Sequence, residues 1–376
     1  MQNFIRTFLI CLIMSMLLLL ACPKVKADIL APSNQDISIT SEFVKGGAAG
    51  TLYIWNQQQG GYDTSNAARW GLNYWVCTSD ESAEFGKCST VSQGYSTYEP
   101  IELEFTEKRS GIKTVLNLKG IRTANWVPGS DCGSTGDPKR MNIEAQNSCG
   151  GQKTSGTLLM LYAEASELNK IPVGGVWTAT LKIIESNSNE SERYNWTAKI
   201  TLNVTDFGNQ QIYLPAFGTA EPHVDLNLRP LPGTSDNQTM LSGTASLDMC
   251  LYDGYNSNSS EFIISPKDNY AGLPGREFGQ YSVYHNGKTD DANRIDYQLQ
   301  ILDLTSRKFV ELDNWQNYVA TNITQAPLRS VHLPGIPQAV VCVPTALRFV
   351  TPGFTLTSKT AGRYTGTLHL KLTTEM

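Results

Sequence analysis

The chain has 376 residues, 40% of them apolar and 17% charged, with a formal net charge of −5. That length suits two domains of ordinary size. The mildly acidic balance argues against non-specific nucleic-acid binding, which needs a basic surface.

In chain order the first feature is an address. Arg6 precedes the apolar run "FLICLIMSMLLLLA" (8–21), and "VKA" stands before Asp28. Together these read as a secretory signal peptide over residues 1–27. The run is short for a membrane span, which needs about 20 apolar residues. "LLLLAC", ending at Cys22, offers a second reading as a lipoprotein site, to which Leu20 is a poor fit. Cleavage after Ala27 leaves 27 Lys and Arg against 35 Asp and Glu, a net charge of −8, and six of the eight cysteines.

An even number of cysteines in an exported chain argues for disulfides. Composition leaves their connectivity open. Sequential pairing, Cys77–Cys88, Cys132–Cys149 and Cys250–Cys342, is favoured because each pair brackets strand-like segments. A Cys250–Cys342 bond would close a long loop and stabilise by roughly 4–5 kcal/mol in the chain-entropy model.

Alternating apolar and polar residues then recur, punctuated by Gly, Asn, Asp, Ser and Pro. They predict strands at 51–55, 101–105, 113–120, 157–163, 176–184 and 196–206. After "TDFGNQQ" (205–211) come 210–217, 224–230, 246–254, 261–266, 281–285, 296–304, 339–350 and the closing stretch 362–376. Short strands at this spacing mean an all-β sandwich or barrel. Helical periodicity is confined to a single turn near 163–171, "SNSNESE" (186–192) reads as a polar loop, and "GGAAG" (46–50) as another. The boundary at "TDFGNQQ" divides the mature chain into 28–206 and 210–376. Leu368, Leu370 and Leu372 give the last segment one apolar face, and no further segment follows to pair with it.

Motifs for chemistry are missing. The four histidines are scattered, and no HExxH, GxSxG, P-loop or EF-hand spacing occurs. The reading is therefore of a chain that needs no cofactor and no metal. Aromatics cluster in "ARWGLNYWVC" (68–77) and recur at Trp126, Trp177, Tyr194 and Trp196. Inward ones are core. Others could offer faces on which a sugar stacks, and Arg69 beside Trp70 and Arg193 beside Tyr194 could grip an acidic sugar. These four residues are the candidate receptor-binding set.

Five stretches carry a resemblance: "FTEKRSGIK" (105–113), "ASELNKIPVGGVW" (165–177), "VDLNLRP" (224–230), "DMCLYDGYNSNSS" (248–260) and "AGRYTGTLHLKL" (361–372). They resemble the minor tip subunits of class 5 (alternate chaperone–usher) fimbriae, which include colonisation-factor tip adhesins and CblD-like pilins. The resemblance implies two immunoglobulin-like β-sandwiches in tandem: an adhesin domain (28–206), a short linker (207–209) and a pilin domain (210–376). It implies the same sequential disulfides. The pilin sandwich would be incomplete, with a groove along Leu368, Leu370 and Leu372 for a donor strand from the major fimbrial subunit. A periplasmic chaperone would fill the groove before assembly at an outer-membrane usher. The chain would stand at the fimbrial tip on the bacterial surface and bind a host cell-surface glycan or glycoprotein.

The sequence departs from the family's basic receptor site. Asn187 falls where an arginine is expected, and Leu72 takes the position near the first cysteine, with Arg69 further from Cys77. The fold and assembly role carry over; the known receptor site does not. Two other functions fit the sequence: a tip pilin that initiates assembly without binding cells, and a secreted carbohydrate-active enzyme. The second lacks a recognisable acid–base pair.

Overall fold

The computed structural model describes residues 29–375, apart from 48, 95, 127–135, 146–147, 150–151, 188–189, 219–220 and 234–237. The chain is all-β: two curled sheets make two tandem sandwiches. The signal segment lies outside the described residues.

The first sheet runs 29–30, 52–63, 156–163, 113–125, 99–107, 175–187, 190–205 and 35–44 in spatial order. Its spine is the hairpin of Gly175–Asn187 and Glu190–Thr205, paired from Gly175↔Val204 to Glu185↔Tyr194. Odd-numbered residues of the first strand point inward: Trp177, Ala179, Leu181 and Ile183 are all buried. Even-numbered residues of the second do the same, with Trp196, Ala198, Ile200, Leu202 and Val204 buried. This is the period of two of a sheet with one face on the core. Gln35–Val44 then pairs in parallel with the outer edge of the hairpin. Most of "SNSNESE" belongs to the hairpin itself, since strand pairing reaches Asn187↔Glu190. Its polarity marks the end of the sheet where the core runs out, and ladder hydrogen bonds do not require apolar side chains.

The second unit is built on Met240–Tyr252 and Val340–Thr355, paired over most of their length, with Arg294–Leu302 and Tyr281–His285 beyond. Facing it is a three-stranded sheet of Tyr318–Ala320, Glu261–Lys267 and His369–Glu375. The last of these pairs only with Glu261–Lys267 among the described residues, so its other side is an open edge. Leu368, Leu370 and Leu372 are half-buried against the core of this unit.

Two predicted strands here are mostly without ladders. Only Gln211–Tyr213 and Leu228–Pro230 are strands. Residues 221–228 keep the alternation, and Leu214, Val224 and Leu226 are half-buried against the core. The apolar pattern is a true signal of a face turned inward. Strand pairing also needs ladder hydrogen bonds, and residues 221–227 make none with a named strand, although Asn227 Nδ2 donates to Thr244 O of the neighbouring strand (3.4 Å).

The units meet tightly around a single 3-10 turn, Phe207–Asn209. The Asp206 amide donates to Gly254 O (3.0 Å), Asn256 Nδ2 to Gly174 O (2.8 Å) and Asn258 Nδ2 to Glu107 Oε1 (3.0 Å). Tyr252, Leu333, Ile336 and Val340 from the second unit join the apolar core of the first. Cys77 is bonded to Cys88 and Cys250 to Cys342. The Cys132–Cys149 pair lies outside the described side chains.

Candidate functional site

The junction fixes one end of the 175–205 hairpin; the candidate site sits at the other. From Gly175 to Glu185 is ten residues of strand, roughly 33 Å. There the inward registers of both strands continue past the apolar core and become polar. Glu185 and Asn187 follow Ile183, while Tyr194 and Glu192 lie beyond Trp196 on the other strand.

Glu185 is 1% exposed. Its Oε1 accepts a hydrogen bond from Asn73 Nδ2 (2.6 Å), which also donates to Gly60 O (2.6 Å). Asn187 Nδ2 donates to Asn73 Oδ1 (2.6 Å) and to Arg69 O (2.7 Å). The network therefore ties the hairpin to the 60–73 segment. Glu185 Oε2 is buried and has no hydrogen-bond partner of normal geometry, although the Trp196 indole N–H lies beside the carboxyl. Burial pushes the carboxyl up to about 8, against the opposing effect of the Asn73 and Trp196 donors. Trp196 forms ring contacts with Trp55 (5.4 Å) and Trp75 (5.3 Å) in the core next to the site.

The 60–73 segment is itself anchored from beneath. Arg122 is buried, and its guanidinium donates to Asn73 O (2.6 Å), Gly71 O (2.7 Å) and Ala145 O (2.8 Å). Burial lowers its pKa to about 10, an effect Glu144 opposes, so it remains charged at neutral pH. Asp63 accepts from the Ser65 hydroxyl and from the Ser65 and Asn66 amides, which starts the turn leading into Ala67–Trp70. The Ser65 bond is the chief reason its carboxyl lies below the ordinary range.

A small pocket opens between these elements, about 210 Å³ counting its mouth, with room for about one water molecule. Trp70, Asn73, Glu185, Asn187, Glu192 and Tyr194 are among its lining residues. Of the four residues picked from sequence, Trp70 and Tyr194 meet here. Arg69 lies over the Trp70 ring at 4.5 Å and pairs with Asp63 at 3.9 Å, so it flanks the pocket. Arg193 takes the register opposite to Tyr194, is exposed, and does not line it. Sequence reasoning missed Glu185, Asn73 and Glu192. Glu185 carried a readable signal: an acid in the inward register of "VWTATLKIIESN". Asn73 carried none, because its partner lies 112 residues away. Among the described residues no cluster of His, Cys, Asp and Glu could hold a metal ion.

The described chain is thus two tandem sandwiches, one with an open strand edge and the other with a polar pocket. Comparison with known proteins gives the family. Residues 24–207 match the model of the first domain of the CFA/I fimbrial protein CfaE, and residues 210–376 match the model of its second domain. CfaE of Escherichia coli is 32% identical over 341 residues, covering 88% of this chain and 87% of the relative. The crystal structure of CfaE, the adhesive subunit of CFA/I fimbria of enterotoxigenic Escherichia coli, superposes with a TM-score of 0.78 at 29% identity, covering 92% of this chain and 94% of that one. A chaperone–tip adhesin complex of CFA/I fimbriae biogenesis matches with a TM-score of 0.67 at 29% identity, covering 92% and 98%. The chain belongs to the CfaE family of CFA/I fimbrial proteins.

Proposed function

We propose that the protein is a fimbrial tip adhesin in which residues 28–206 bind a host cell-surface glycan and residues 210–376 accept a donor strand from the major fimbrial subunit. The observation that carries this reading is polarity. The pocket lies at the end of the hairpin farthest from the junction, and the open strand edge lies in the other unit. A protein joined to a shaft through its second unit would present the pocket outward.

The donor strand would lie along the free side of His369–Glu375, adding main-chain hydrogen bonds and setting alternate side chains over Leu368, Leu370 and Leu372. Each buried Val, Leu or Ile contributes about 1.5–3 kcal/mol, partly offset by ordering the donor. An edge of this kind over half-buried leucines is an aggregation hazard until covered. A periplasmic chaperone would therefore hold the chain until the outer-membrane usher receives it. The route leads through the periplasm to the cell surface, and the protein is not an enzyme.

The rival is an assembly initiator that binds no cells. Asn187 favours it, because its amide is engaged internally with Asn73 and Arg69 at a position where the family resemblance expects a cation. Adherence and fimbriation measured on the same cells separate the two. Cells displaying the native chain should adhere to epithelial monolayers, and Tyr194→Ala or Arg69→Ala should lower adherence with fimbriae still present. Full adherence by both variants would remove the pocket from the reading. Non-adherent cells with normal fimbriae would establish the initiator.

A further inference from the structure

We propose that Tyr270, Phe278 and Trp315 form a seat for the folded body of the subunit that donates its strand, and that this body offers an apolar side chain flanked by a lysine or arginine. The inference rests on the donor-strand reading above and adds to it a contact outside the groove.

Position is the first argument. Glu261–Lys267 leads away from the junction. Asn258, just before it, bonds Glu107 of the first unit, and Lys267 lies at its other end, about 20 Å on. His369–Glu375 runs back beside it, with Lys267↔His369 at the far pole and Glu261↔Glu375 at the junction. At the junction end Gln210, next to the linker, donates to Thr374 Oγ1 (2.9 Å), and the first unit stands beyond. A donor segment laid along this strand therefore leaves at the His369 end, and the body it belongs to meets the far pole. Tyr270 and Phe278 stand on the loop that follows Lys267. Trp315 is held beside them, its amide donating to Pro266 O (3.0 Å).

The pole is also built to stay in place. Phe278 is 81% exposed, Trp315 46% and Tyr270 39%. Single exposed apolar residues are ordinary, but a group of three on one rigid support marks an interaction surface. The support is a buried clasp. Asn314 Nδ2 donates to Asp268 Oδ1 (2.8 Å) and Gln280 O (3.0 Å), and its Oδ1 accepts the Asp268 amide (3.1 Å). The Asn314 amide donates to Gly279 O (3.0 Å). Arg276 pairs with Asp268 (2.7 Å) and donates to Tyr270 O (2.6 Å). Each aromatic residue is thus in the clasp or adjoins it. Trp315 has φ +63°, a left-handed backbone that a bulky side chain rarely adopts. Loops fixed before a partner arrives lose little freedom on docking.

Charge names the partner's chemistry. Beside Phe278 lies a polar recess of about 250 Å³ counting its mouth, whose lining includes Glu277, Glu311 and Asp313 and no lysine or arginine. A body with an apolar residue for the aromatic side chains and a cation for the recess complements both.

The chain purified with its chaperone should be mixed with the major fimbrial subunit, or with a synthetic peptide of that subunit's donor segment, and pairing followed on native gels. Phe278→Ala, Trp315→Asn and Glu311→Lys all change exposed side chains, and asparagine suits the left-handed backbone at 315. Each should slow pairing with the whole subunit, roughly tenfold for Phe278→Ala, and leave uptake of the peptide at the native rate. Native rates with the whole subunit in all three would overturn the inference and leave the donor-strand reading standing. Equal slowing with peptide and subunit would also overturn it, because these residues would then belong to the groove. Loss of the chaperone from all three would overturn it too, by assigning the pole to the chaperone. A native chain that takes up neither peptide nor subunit would remove the donor-strand reading and the inference with it.

Discussion

At the scale of single residues, Glu185 is an acid placed where the fold favours its neutral form. Its carboxyl titrates near 8 in the folded chain because burial disfavours the charge, against about 4.3 when unfolded. The folded state therefore binds a proton that the unfolded state releases. Stability from this group is full below pH 4 and declines as pH rises from about 4.5 to about 8, by roughly 4–5 kcal/mol at the upper end. The amide of Glu185→Gln does not titrate. Thermal unfolding of the first domain should therefore fall between pH 5 and pH 8 in the native chain and stay flatter in the variant. Parallel curves for the two would show that the carboxyl ionises freely. Arg122 acts in the opposite sense: its charge is compensated by three backbone carbonyls beneath the pocket. Arg122→Met keeps the apolar stem but leaves Asn73 O and Ala145 O without this donor and Gly71 O with only the Thr154 hydroxyl (3.5 Å), at about 1–3 kcal/mol for each one left unpaired and buried. Urea unfolding should place the variant several kcal/mol below the native chain, and a shift under about 1 kcal/mol would mean that water replaces the guanidinium.

At the scale of elements, the hairpin of 175–187 and 190–205 places the site by carrying a period of two past the end of the apolar core. That period is legible in "VWTATLKII" and "WTAKITLNV", and it holds through Glu185 and Tyr194. Arg193 and Tyr194 are adjacent in sequence and read as a pair, yet the same period separates them onto opposite faces. What stays illegible is tertiary: which segment meets the inward acid, and which of its side chains donate to the carboxyl. Residues 221–227 show the complementary limit, since alternation reports a buried face and not a hydrogen-bonded ladder. The loop side of the site depends on a close approach at Gly60. A Cβ there would stand 2.3 Å from the Trp75 ring and 2.6 Å from Glu185 Oε1. Gly60→Ala must push the ring or the carboxyl aside, an overpacking cost of about 1–3 kcal/mol. Its mark should be a lower melting temperature together with an altered tryptophan spectrum; a native melt and spectrum would mean that the strand 52–63 moves instead.

At the scale of the whole molecule, the two units share a core. The first ends its sheet on Gln35–Val44, bonded to the hairpin on one side, and the second leaves His369–Glu375 with one bonded side among the described residues. The junction between them leaves little slack: Gly254 has φ +71° and a Cβ on it would lie 2.1 Å from Asp206 O. The open edge of His369–Glu375 is where the donor strand proposed above would add. Leu370 and Lys371 are neighbours on that strand and point to opposite faces, Leu370 half-buried against the core and Lys371 exposed. Neither substitution removes a main-chain bond to Glu261–Lys267, so the strand itself can persist in both variants. Leu370→Asp places a carboxylate in the face that a donor strand would cover, and burying that charge without a partner is costly. Lys371→Asp introduces the same residue on the solvent face. If the second unit is completed in trans, Leu370→Asp should be lost from the periplasm and fail to co-purify with the chaperone, while Lys371→Asp accumulates normally. Equal recovery of the two variants would mean that the leucine face is not the surface a donor strand covers.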